Sequence, residues 1–160
     1  SHSPVYLRLA RHATPVITHE RTPFTIGQVI KFVEGMDVTI IATGPLLHEA
    51  LLAAKQLSKR RIKAEVINCH TVKPLDEESI LKSIKKTGAV VTVEEHQITG
   101  GLGGAVAEVL ARNYPVPMEF IGMPNSFGES GTPDELLEKY GMKAKHIIGA
   151  VKRVVPRKTI

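Results

Sequence analysis

The chain has 160 residues, of which 42% are hydrophobic and 23% charged, with a net charge of +5. That is the size of one domain, with enough apolar material for a core, too balanced a composition for disorder, no run near the ~20 apolar residues of a membrane span and no signal-peptide pattern. The positive charges are spread over Lys59-Arg60-Arg61, Lys82, Lys85-Lys86, Lys143, Lys145 and Lys152-Arg153, and aromatics make up only 4%, so no stacking platform accompanies them and nucleic-acid binding is not expected.

The chain opens on Ser1-His2-Ser3 rather than Met, which reads as the remnant of an expression tag. Pro4-Val5-Tyr6-Leu7-Arg8-Leu9 alternates like a strand, but the residues that follow offer no partner. Residues 4–11 therefore read as the last strand of a preceding domain. Residues 12–27, with Pro15, Pro23 and mixed charge, read as an extended linker.

From residue 28 to residue 160, strand and helix patterns alternate. Gln28-Val29-Ile30-Lys31-Phe32-Val33 is a short strand and Val38-Thr39-Ile40-Ile41-Ala42 a buried one. Gly44-Pro45 opens a helix with an apolar stripe of Leu47, Ala50, Leu51, Ala54 and Leu57. Ala64-Glu65-Val66-Ile67-Asn68-Cys69 is the next strand, and Asp76 caps a helix that buries Ile80, Leu81 and Ile84. Gly88-Ala89-Val90-Val91-Thr92-Val93 is a further buried strand. The helix after it buries Val106, Val109 and Leu110 and stops at Asn113 before Pro115. Met118-Glu119-Phe120-Ile121 is a last strand, Thr132-Pro133-Asp134-Glu135 a capping box, and residues 143–155 a final helix burying Ile147, Ile148, Val151 and Val155. This alternation predicts a three-layer α/β/α domain with an open, mostly parallel sheet.

The segment with most chemical content is Glu94-Glu95-His96-Gln97-Ile98-Thr99-Gly100-Gly101-Leu102-Gly103-Gly104, a strand running through a glycine-rich turn into a helix. A helix N-terminus there favours an anion. The dinucleotide fingerprint fails, because its third glycine is replaced by Val106, and no Walker Lys-Ser/Thr follows. The other reading is a sharp turn allowing close packing. Glu94 and His96 share one face of the strand and Glu95 points to the other, so acid–base or metal chemistry has two side chains at most, with no second histidine at ligand spacing. Cys69 and His70, a conceivable nucleophile and base, are sequence neighbours that rarely face each other. Cys69 is the only cysteine, which excludes an internal disulfide and makes a reducing, cytoplasmic setting the default. Ser126-Phe127-Gly128-Glu129-Ser130-Gly131 is a polar loop able to bind a partner or to serve as a connection. No complete active site emerges.

The run Val90-Val91-Thr92-Val93-Glu94-Glu95-His96, then Thr99-Gly100-Gly101-Leu102-Gly103-Gly104-Ala105-Val106-Ala107-Glu108, resembles the C-terminal domain of transketolases. So does the run from Asn125-Ser126-Phe127-Gly128-Glu129-Ser130-Gly131 through Thr132-Pro133-Asp134-Glu135-Leu136-Leu137 to Tyr140-Gly141. Thr71-Val72-Lys73-Pro74-Leu75-Asp76 fits the same pattern. Together they cover nearly the whole chain after the linker. Deoxyxylulose-phosphate synthase and the beta subunit of 2-oxoacid dehydrogenases share the domain, but Gly128-Glu129-Ser130-Gly131-Thr132-Pro133-Asp134-Glu135 is more similar to transketolase.

The resemblance implies a parent enzyme of the pentose phosphate pathway that moves a two-carbon ketol unit between sugar phosphates. Thiamine diphosphate and a divalent metal, Mg or Ca, would be held in other domains at a homodimer interface. It implies no catalytic, cofactor or metal residue in this segment, whose role would be dimer stability or partner docking with other transketolase domains or subunits. It also makes residues 4–11 the end of the pyrimidine-binding domain, where an arginine holds the sugar phosphate. Arg11 matches that position best and Arg8 second, and a guanidinium past a strand end suits bidentate phosphate recognition. The alternatives are a free-standing interaction or regulatory module on the same fold, and a small-ligand binder using the glycine turn.

Overall fold

A computed structural model describes residues 4–158. The remnant expected at residues 1–3 lies outside the described residues. The strands are β1 (Ile30–Val33), β2 (Val38–Ala42), β3 (Ala64–Asn68), β4 (Val90–Gln97) and β5 (Met118–Met123). The helices are α1 (Leu47–Ser58), α2 (Glu77–Thr87), α3 (Leu102–Asn113), α4 (Pro133–Lys139) and α5 (Ala144–Val154). They form one sheet of order β1-β3-β2-β4-β5. β2 pairs in parallel with β3 and β4, and β4 in parallel with β5, while β1 runs antiparallel on the outer edge of β3. An antiparallel edge strand on an otherwise parallel sheet is a common arrangement.

The three layers follow from which face each strand residue takes. Val38, Ile40, Val66, Val91 and Val93 turn to one side, against Leu47, Ala50 and Leu57 of α1 and Ile147, Val151 and Val154 of α5. Ile41, Ile67 and Val90 turn to the other, against Ile80 and Ile84 of α2 and Leu102, Val106 and Leu110 of α3. Fully buried strands read as continuous apolar runs, as β2 does.

Some boundaries differ from the sequence expectation. The strand expected from Gln28 begins at Ile30, because the Val29 amide is taken by the Asp76 carboxylate at 3.0 Å. Gly44–Leu46 forms a 3-10 turn, so α1 starts at Leu47. α5 ends at Val154, and a 3-10 turn carrying Pro156 follows. Residues 4–10 lie outside every element and are exposed; a lone strand has nothing to pair with in this chain.

The latter part of the linker is fastened to the sheet. The Phe24 ring lies 4.5 Å from the His70 ring, and His70 Nε2 donates to the Thr25 carbonyl at 3.0 Å. Asp76 then joins linker to helix, since its other oxygen accepts from the Ser79 amide at 3.1 Å. Burial opposes the charge on Asp76, but the Val29 and Ser79 amides outweigh it and hold its carboxyl below the ordinary value.

Candidate functional site

In an open α/β sheet, ligands bind at the carboxyl ends of adjacent strands whose connections leave in opposite directions. Here those strands are β2 and β4: α1 leads from β2 to β3, and α3 leads from β4 to β5 on the other side. The glycine-rich turn therefore stands at the place where a ligand site is expected.

Gly100, with φ of +79°, reverses the chain, and α3 opens at Leu102. Two of the first amides of α3 are already bonded. Glu94 Oε2 accepts from the Leu102 amide at 2.8 Å, and Glu94 Oε1 from the Gly103 amide at 2.7 Å. Glu94 is only 3% exposed. A helix N-terminus binds anions through unpaired N–H groups and its dipole. The carboxylate of Glu94 occupies that position, as a phosphate would in a nucleotide-binding fold. A phosphate arriving there would meet a buried negative charge and find two of the donors taken.

The glycines are shaped around this contact. A Cβ on Gly101 would lie 2.1 Å from Glu94 Oε2, and one on Gly103 would lie 2.6 Å from Phe120 Cδ1. Where the dinucleotide fingerprint wants its third glycine, Val106 is a fully buried core residue. Gly101 and Gly103 thus accommodate close packing of the turn against Glu94 and Phe120.

His96 stands on the Glu94 face of β4, as the two-residue period predicts, with Nδ1 3.9 Å from Glu94 Oε2. Its Nδ1 donates to the Gln97 carbonyl at 2.9 Å, and half of the side chain is exposed. Among the described residues, no third His, Cys, Asp or Glu side chain converges on the pair to complete an acid–base relay.

Cys69 and His70 do not face each other. Cys69 is fully buried and its Sγ donates to the Thr71 carbonyl at 3.3 Å, while His70 is bonded to the linker. Burial, with the Asp76 charge adding to it, pushes the Cys69 thiol up to about 12. At pH 8 only about one thiol in ten thousand is ionised at that value. A thiol reagent such as Ellman's is expected to leave the folded chain unmodified at pH 8 and to titrate one thiol in 6 M guanidinium. Rapid release of colour from the native chain would show that Cys69 is accessible and activated.

In the loop after β5, Glu129 is held by Lys139 at 2.6 Å and by the Tyr140 hydroxyl at 2.8 Å, while Phe127 stands fully exposed. Arg8 and Arg11 lie in the exposed segment before the linker. Beside the turn, Ile98, Thr99, Gly100, Gly104, Ala107 and Phe120 line an open hollow of about 290 Å³ without a charged side chain.

Two ionic features escape a reading of periodicity. Glu49 of α1 caps α5, accepting from the Ala144 amide at 2.7 Å across the fold. Glu65, fully buried inside β3, is bonded by Lys86 and lies 3.3 Å from Lys31. A charged residue within an otherwise apolar buried strand was the available signal for the second; the first had none.

The helix N-termini thus take the chain's own side chains: Asp76 on α2, Glu94 on α3, Thr132 on α4 and Glu49 on α5. Among the described residues, no three His, Cys, Asp or Glu side chains converge as a metal site. The residues at the turn do not fit a diphosphate, because a carboxylate already holds its donors. No described helix is long and apolar enough to cross a membrane.

Comparison with known proteins gives the family. The family model "Transketolase, C-terminal domain" matches residues 27–147. The chain is 51% identical over 155 residues to the "6-deoxy-6-sulfo-D-fructose transketolase subunit SqwH" of Clostridium sp. (strain MSTE9), covering 97% of this chain and 48% of that one. It is 47% identical over 147 residues to the "Putative transketolase C-terminal section" of Methanocaldococcus jannaschii, covering 90% and 46%. A solved structure described as "Split gene transketolase, inactive beta4 tetramer" superposes with a TM-score of 0.90 at 44% identity, covering 93% of this chain and 49% of the other. The chain spans about half the length of these relatives. Matched along its length by these sequences, this α/β chain belongs to the transketolase family and carries that family's C-terminal domain.

Proposed function

We propose that this chain is the C-terminal portion of a thiamine diphosphate-dependent transketolase and contributes to its assembly rather than to its chemistry. The observation that carries the reading is Glu94: the position best placed to bind a phosphate is closed by the chain's own carboxylate. In this reading the cofactor and its divalent metal, Mg or Ca, bind in other domains or subunits. There the cofactor supplies the electron sink for moving a two-carbon ketol unit between sugar phosphates. The setting is the cytoplasm and the parent enzyme is a homodimer or a larger assembly of such halves. Relatives described as a transketolase subunit and as a split-gene tetramer support a protein built from separable parts.

Residues 4–11 have a stated role here. Val5, Tyr6, Leu7 and Leu9 are 64%, 89%, 72% and 77% exposed, a stretch of apolar surface that suits a strand completing a neighbouring sheet. Arg11, or failing it Arg8, then lies past that strand end and binds the sugar phosphate bidentately.

The test uses the other domains of the parent enzyme, produced as a separate protein from the sequence upstream of residue 4. Mixed with the chain, it is expected to gain ketol transfer that neither part has alone. In that assembled enzyme, Arg11→Ala is expected to raise the KM for the phosphorylated sugar about 10-fold or more, with a smaller effect on kcat. Turnover by this chain without a partner would contradict the reading.

A further inference from the structure

We propose that the turn between α1 and β3 docks an acidic peptide segment of another protein, with Arg61 as the side chain that fixes its position; this goes beyond the assembly reading and does not depend on it. Arg61 stands where the backbone favours glycine. α1 closes with the Arg61 amide donating to the Ser58 carbonyl at 3.0 Å and the Ile62 amide to the Leu57 carbonyl at 3.1 Å. That pair of bonds carries the chain through a left-handed residue, usually glycine. Arg61 takes the position at φ of +63°. The other five described residues with positive φ are all glycine, Gly88 at the end of α2 and Gly141 after α4 among them. An arginine there carries a steric cost that glycine would not.

Arg61 also belongs to a cluster. Lys55, Lys59, Arg60, Arg61 and Lys63 place five cations within nine residues with no acid between them, and all five are exposed. Among the described residues, none of the five side chains forms an ion pair. The acid that reaches the turn, Asp37, accepts from the Lys63 amide at 2.6 Å rather than from a cation. The dipole of α1 accounts for cations in and just after its last turn, where Lys55, Lys59 and Arg60 already stand. It does not account for a further guanidinium at a strained backbone position, crowded by like charge.

A carboxylate-rich peptide fits these cations better than other anions do. A nucleic acid would need aromatic rings to stack its bases, and residues 55–63 contain none. A membrane surface attracts cations by number, indifferent to which backbone position carries them. Beside the turn stands exposed Met36, whose amide donates to the Lys63 carbonyl at 2.9 Å, and one thioether is far short of the apolar face that inserts into lipid. A guanidinium held at a fixed backbone position suits a partner read side chain by side chain, since its fork takes a carboxylate through two parallel bonds. Successive acidic side chains of the peptide then meet Arg61, Arg60 and Lys59.

The experiment is fluorescence anisotropy of a labelled octaglutamate peptide titrated with the full chain at low salt, alongside thermal melts. The wild-type chain is expected to bind with a Kd of about 50 μM, weakening as salt is raised. Arg61→Gly is expected to bind about 10-fold more weakly and yet to melt about 2 °C higher, because it removes the guanidinium and relieves the backbone. Arg61→Lys keeps the charge but not the fork, and should bind about 3-fold more weakly. Lys82→Ala, which removes one exposed cation from α2, is expected to bind like the wild type. No wild-type binding up to about 1 mM peptide overturns the proposal. So does a loss in Lys82→Ala equal to that in Arg61→Gly, or an Arg61→Gly chain that melts lower than the wild type. Arg61-dependent binding to oligothymidylate or to phosphatidylserine vesicles, without binding to the peptide, overturns it as well.

Discussion

Glu94→Gln is expected to destabilise the chain by about 2 to 3 kcal/mol, the cost of turning one charge-assisted, buried acceptor into a donor that faces a donor. Each oxygen of Glu94 takes one amide of the first turn of α3, and the side chain is almost fully buried. An amide of the same shape can satisfy only one of them. Urea unfolding followed by circular dichroism measures the loss.

Glu94→Ala carries the test further. It removes the internal anion while leaving the two amides and the helix dipole in place, so an anion site opens. Phosphate or sulfate at tens of millimolar is expected to raise the Tm of the Ala variant and to leave the wild type unmoved beyond general salt effects. If the wild-type chain is specifically stabilised by phosphate and the Ala variant is not, Glu94 is not the filler of the site.

Lys86→Ala is expected to cost about 3 kcal/mol or more, because it leaves Glu65 buried with its main cation gone. Glu65 is inaccessible within β3, and Lys31, at 3.3 Å and partly exposed, is the only other cation on it among the described residues. Glu65, ahead of Glu34, holds the Lys86 amine above its ordinary value of 10.5. A group whose value is raised by folding stabilises the fold while it is charged. That contribution is complete below about pH 10 and is lost as the pH climbs through the raised value. The wild-type chain should therefore lose stability above pH 10.5 more steeply than Lys86→Ala, measured as urea midpoints at pH 7, 9 and 11. Equal slopes would remove the ion pair from the account. Replacing Glu65 and Lys86 together by Leu and Met should recover most of the loss at pH 7, since the penalty lies in the unpaired buried charge.

Much of the fold is legible from periodicity and punctuation. The buried run Val38-Thr39-Ile40-Ile41-Ala42, the Asp76 cap and the capping box at Thr132 each announce an element that the structure contains. Such signals are local, and local signals survive folding when they agree with one another. The antiparallel placement of β1 is not legible, because direction is set by which edge of the sheet stays free once the crossovers are made. The late start of β1 is also hidden: it depends on Asp76, 47 residues further on, taking the Val29 amide.

The site divides in the same way. Spacing alone identifies the broken fingerprint at Val106 and puts Glu94 and His96 on one face. What spacing leaves open is what the glycines accommodate. That answer is a hydrogen-bond geometry: Glu94 reaches eight and nine residues ahead to close the helix that its own strand feeds. Ion pairs between distant elements, such as Glu65 with Lys86 and Glu49 with the start of α5, leave little trace in a one-dimensional pattern.

This segment is expected to hold no cofactor of its own. Titration calorimetry of the 160-residue chain with thiamine diphosphate in the presence of magnesium tests it most directly. No saturable heat is expected up to about 1 mM cofactor, which corresponds to binding weaker than roughly −4 kcal/mol. A stoichiometric isotherm in the micromolar range would contradict it.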